Sequence, residues 1–170
     1  MSAFSWKAIV LGLAIGLAGT TPATAAPGEQ LTDAREQAPE GLIGMWKADI
    51  QASTYKGTKP QAAWRSFAYT EDGKVLVSFA TRNAGSAISF GHWAAQVDGT
   101  PGIEYHSAAG SIPYNVVSWT VVGPGRLHLI VSRHGKTDLD ATYQLSPDGK
   151  TLTYSYDGTS IVYRRWTMID

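Results

Sequence analysis

Cysteine is absent from the 170 residues, and that one gap removes several chemistries. It excludes a disulfide framework, a thiolate metal site, a cysteine nucleophile and a lipid anchored at a cysteine. A domain built this way holds together by burial. Charge is scarce as well, at 16% of residues, and balanced, with 14 Lys plus Arg against 14 Asp plus Glu. No strong long-range field therefore selects nucleic acid or an anionic membrane as partner. Also lacking are a sustained helical period and a glycine-rich phosphate loop. The glycines fall in hairpin turns rather than between a strand and a helix, which argues against nucleotide binding. What is present is apolar material: 44% hydrophobic residues suffice for a real core and set intrinsic disorder aside.

Residues 1–25 have the three parts of a secretory signal: a short start with Lys7, an apolar run over 8–19, and the small-residue site Ala23-Thr24-Ala25. The run is too short to span a bilayer core of about 30 Å, so no membrane span is expected in the mature chain. Cleavage near Ala25 would send the protein to the periplasm or the medium. Residues 26–40 are small and polar and read as a flexible leader, with room for one short helical turn over 32–37.

From residue 41 onward the chain reads as strands. In 42–49, Leu42, Gly44, Trp46 and Ala48 share one face, which points a large indole into the core. Alternating segments follow at 62–70, 75–81, 88–97, 103–106, 114–122, 126–133, 139–145, 152–156 and 160–168. They are separated by Asp72-Gly73, Asn83-Ala84-Gly85, Asp98-Gly99, Gly123-Pro124-Gly125, His134-Gly135-Lys136, Asp148-Gly149 and Asp157-Gly158. Short strands joined by tight turns predict an all-β, up-and-down antiparallel barrel of about 8–10 strands over residues 41–170. An interior that wide is either filled by side chains or holds one small molecule.

Gly44-Met45-Trp46-Lys47, Ser53-Thr54-Tyr55, the hairpin from Ala68 to Lys74, Val97-Asp98-Gly99 and the run from Leu145 to Thr153 occur in an order that resembles the bacterial secreted lipocalin-like family of calycin-type β-barrels. The likeness spans roughly residues 41–166. It implies a secreted bacterial barrel that binds a small apolar or amphiphilic molecule. It also implies that an arginine of the last strand, Arg164 or Arg165, covers the indole of Trp46 and closes the barrel floor beside Gly44. The chain departs from the better-known lipocalins in lacking a disulfide and a long helix near its C-terminus.

Alternation places Phe67, Tyr69, Phe79, Trp93, Trp119 and Tyr143 inside, as the residues expected to meet a ligand or to fill the barrel. No cofactor is implied. His92, His106, His128 and His134 stand at no metal-site spacing. Ser132, His134 and Asp138 or Asp140 have the residue types of a hydrolase triad but no Gly-x-Ser-x-Gly elbow. Two alternatives to small-molecule binding remain. One is a periplasmic protein-binding or inhibitor module using the barrel-end loops 51–60 and 107–113; the other is an enzyme using the barrel cavity as its chamber. Oligomeric state is not encoded in any of these features.

Overall fold

The computed structural model describes residues 33–107 and 115–167. The signal reading of residues 1–25, the leader up to residue 32 and most of the 107–113 loop lie outside the described residues. The elements run α1 (Ala34–Gln37), β1 (Gly44–Ala48), β2 (Ala62–Tyr69), β3 (Val75–Arg82), β4 (Ile88–Ala95), β5 (Gly102–His106), β6 (Asn115–Gly123), β7 (Arg126–Arg133), β8 (Lys136–Leu145), β9 (Thr151–Tyr156) and β10 (Thr159–Arg165). Each strand pairs antiparallel with its neighbour in sequence, and β1 pairs with β10, so the up-and-down sheet closes into a barrel without a free edge. Among the described residues no helix is long and apolar enough to cross a membrane.

Turn chemistry sets where the strands end. His134 and Gly135 have φ of 50° and 73°, and Asp157 and Gly158 have 38° and 74°. Positive φ at both central positions is the two-residue type I′ hairpin, whose twist matches that of the strands it joins. Lys136 therefore pairs with Arg133 instead of lying in the turn, and β8 begins three residues earlier than alternation alone suggests. In the same way Thr159 pairs with Tyr156, which sends Ile161, Tyr163 and Arg165 inward.

The two barrel ends differ. Gly44, Tyr69, Val75, Leu145, Thr151 and Arg165 mark one end, and α1 lies against it. Asp33 caps α1 by accepting from the Arg35 backbone N–H at 2.9 Å, which holds its carboxyl below the ordinary 3.8. Ala34 is fully buried and donates its N–H to Gly73 O at 2.8 Å, while Arg35 Nη2 donates to Thr70 O at 2.6 Å. Residues 33–35, which composition assigns to the leader, are thus seated on the β2–β3 turn. Exposed turn carbonyls anchor them there, a partner that composition does not reveal.

Candidate functional site

At the α1 end, the Trp46 indole has no exposed surface and donates Nε1–H to Leu42 O at 3.0 Å. The Arg165 guanidinium lies 4.4 Å from its ring centroid. That guanidinium donates to three carbonyls: Ile43 at 2.9 Å, Gly149 at 3.3 Å and Gly41. Arg164 points outward, to Thr151 Oγ1 at 2.9 Å and Asp49 at 3.4 Å. Gly44 makes room for the lid, since a Cβ there would lie 2.6 Å from Arg165 Nη1.

Above this floor the lumen is solid. Trp93 and Trp119 meet edge-on at 4.7 Å, Phe67 stacks on Trp119 at 6.3 Å, and Tyr143 meets Phe67 edge-on at 5.8 Å. All four are at most 2% exposed. Tyr69 stands at the floor end beneath the Arg35 guanidinium, 5.6 Å from it.

The other half is hollow. A cavity of about 280 Å³ lies between Arg65, Phe79, Trp93, Glu104, Leu129 and Tyr154. A second, of about 200 Å³, reaches toward the 51–60 loop past Tyr55, Thr58 and Tyr163. The two adjoin through shared walls at Arg65, Thr81, Tyr154 and Tyr156, and this two-part chamber lies at the end opposite α1.

Arg65 is the centre of this chamber. It leaves β2 on the inward face between Ala63 and Phe67, and its guanidinium reaches across the lumen to four rings. The centroid distances are 4.3 Å to Tyr154, 5.4 Å to Phe79, 5.5 Å to Tyr143 and 5.9 Å to Tyr163. Nε donates to Tyr163 Oη at 3.2 Å. Burial alone would lower its pKa; the surrounding phenols of Tyr143, Tyr163 and Tyr154 outweigh that and raise it, so the group is a permanent cation. Among the described residues no carboxylate lies within ion-pair distance of it. Burial likewise pushes the phenols up, Tyr154 to about 12 and Tyr143 well above its ordinary value, so both are neutral hydroxyls at physiological pH.

Glu104, from β5, lines the same cavity. It is 9% exposed, and Asn115 Nδ2 donates to its Oε2. Asn115 Oδ1 in turn accepts from Arg133 Nε at 3.0 Å, and Arg133 pairs with Asp138 at 3.4 Å.

No protein-family model, curated protein or solved structure matches this chain.

Of the six aromatic residues that alternation selects, Phe79 and Trp93 line the chamber. Phe67, Trp119 and Tyr143 form the plug beneath it, and Tyr69 lies at the far end. Among the described residues no cluster of His, Asp and Glu could hold a metal ion. His128 Nε2 meets Asp140 Oδ1 at 2.8 Å with both side chains well exposed. Asp138, weighed with Ser132 as part of a triad, is engaged by Arg133. Arg65 and Glu104 escape a search for aromatic or catalytic patterns. The available signal was their parity, since Arg65 falls on the face of Ala63 and Phe67 and Glu104 alternates with the exposed Ile103 and Tyr105.

Proposed function

We propose that this chain is an exported, lipocalin-like binding protein that takes a small amphiphilic molecule into the open half of its barrel. The observation that carries the reading is the chamber itself, apolar along Phe79, Trp93, Leu129 and Val131, with a guanidinium at its centre. A wholly apolar guest would strip water from Arg65 without replacing it, a cost that an amphiphile with a polar head avoids. Burial of the guest's apolar body supplies the driving force, at about 25 cal/mol per Å². The order of motifs from Gly44 to Thr153 supports membership of the lipocalin-like family, and residues 1–25 support export.

Tryptophan fluorescence and melting temperature, followed while a panel of fatty acids, aromatic acids, amines and neutral lipids is titrated in, test the proposal. At least one class should shift both signals, because Trp93 lies in the chamber wall. A flat response across the panel would overturn it.

A further inference from the structure

Two opposite charges face the same small space without touching. Arg65 and Glu104 both line the cavity of about 280 Å³, yet they form no ion pair. A space of that volume is on the order of 8 Å across and sits at the small end of ligand pockets. Each charge is held in place by its own neighbours. Tyr163 and the stacked Tyr154 ring fix the guanidinium. Asn115, itself held by Arg133, fixes the carboxylate through Oε2. No described residue hydrogen-bonds the Nη1 or Nη2 donors of Arg65 or the Oε1 acceptor of Glu104. The same two phenols, Tyr143 and Tyr154, feel both charges, Arg65 acting to lower their pKa and Glu104 to raise it.

We infer that the chamber is a fixed dipole whose occupant is a compact zwitterion of the amino-acid type, carboxylate on Arg65, ammonium toward Glu104, and apolar or aromatic body against Phe79 and Trp93. This rests on the binding function proposed above and names its ligand class. A lone anion gains from Arg65 but is repelled by Glu104 on the wall of the same cavity, and a lone amine meets the reverse. A zwitterion satisfies both poles and leaves the cavity's net charge unchanged. It also supplies partners to the idle donors and acceptor, including a planar carboxylate that suits the two-pronged edge of a guanidinium.

Three probes built on one phenylethyl skeleton separate the contributions: phenylalanine, 3-phenylpropionate, which lacks the ammonium, and phenethylamine, which lacks the carboxylate, titrated calorimetrically into the full chain. Phenylalanine should bind on the order of tenfold tighter than either of the others. Glu104→Gln should shift the preference toward 3-phenylpropionate and Arg65→Gln toward phenethylamine. Should a variant fail to fold, judged by its near-ultraviolet circular dichroism, the ranking on the unmodified protein still decides. If 3-phenylpropionate or phenethylamine equals or exceeds phenylalanine there, or if phenylalanine does not bind, the zwitterion assignment is wrong. Binding of some other amphiphile from the panel would in that case leave the barrel's binding function standing. Silence from every compound would remove both.

Discussion

Trp46 has no exposed surface because Arg165 covers it, and Arg165 reaches it because Gly44 has no side chain in the way. Gly44 has a φ of 133°, a conformation that L side chains rarely adopt, so the glycine is required twice over. Trp46→Ala should cost about 3–5 kcal/mol through the cavity it leaves. Arg165→Ala should cost less, about 1–2 kcal/mol, because its partly exposed cation–π contact and hydrogen bonds are screened by water. Urea denaturation midpoints measure both. The chamber around Arg65 lies at the other end, so Arg165→Ala should leave any binding there intact. Alternation could not choose between Arg164 and Arg165; the two-residue turn at Asp157-Gly158 chooses, by setting the register of β10 on β9. Tyr143 contributes differently. Its hydroxyl is buried with no hydrogen-bond partner among the described residues, so Tyr143→Phe removes an unsatisfied group while keeping the ring in the plug. The variant should be neutral or more stable by up to about 1 kcal/mol in the same assay.

Among the elements, β5 is one of the two shortest strands, and it carries Glu104. Its pairing with β4 spans Gly91↔His106, His92↔Tyr105 and Trp93↔Glu104, and it begins at Gly102, where a Cβ would lie 2.2 Å from Ala94 O. Backbone cannot yield as a flexible side chain would, so Gly102→Ala should push β5 away from β4. A stability loss of about 2–3 kcal/mol is expected in thermal melts, together with weaker binding of any ligand that uses Glu104. Gly123→Ala is the matched control: no atom lies within 4 Å of its added Cβ, and its effect should stay within about 0.5 kcal/mol. Element boundaries were legible where turns carry Asp-Gly. They were misplaced at β8, where a histidine in a positive-φ position is not a strong turn signal in sequence. The helix α1 was legible only as a possible turn, because its stability comes from Ala34 and Arg35 gripping the β2–β3 turn and not from helical periodicity.

The barrel as a whole joins a packed half to a hollow half, and the boundary between them is a layer of tyrosines around Arg65. Those phenols make the fold sensitive to alkali. In the unfolded chain they ionise at the ordinary 10.0, whereas burial pushes Tyr154 up to about 12 and Tyr143 higher still. Between those values the folded state keeps protons that the unfolded chain releases. This stabilising contribution is therefore fully present below pH 10 and is lost as pH rises toward 12 and beyond. Denaturation midpoints at pH 9 and pH 11 should fall more steeply for the unmodified protein than for Tyr154→Phe. The sequence by itself determined the all-β class, the meander and the inward faces of the strands before the last, because a period of two and the turn residues are properties of neighbouring residues. Whether the interior is packed or hollow, and what Arg65 meets there, was decided only by closure of the sheet. Its partner Tyr163 is 98 residues away along the chain, and the ring of strands brings the two to 3.2 Å. Parity names the face a side chain takes, but the strand stagger of a closed barrel decides which side chains share a level, and that is a property of the whole ring.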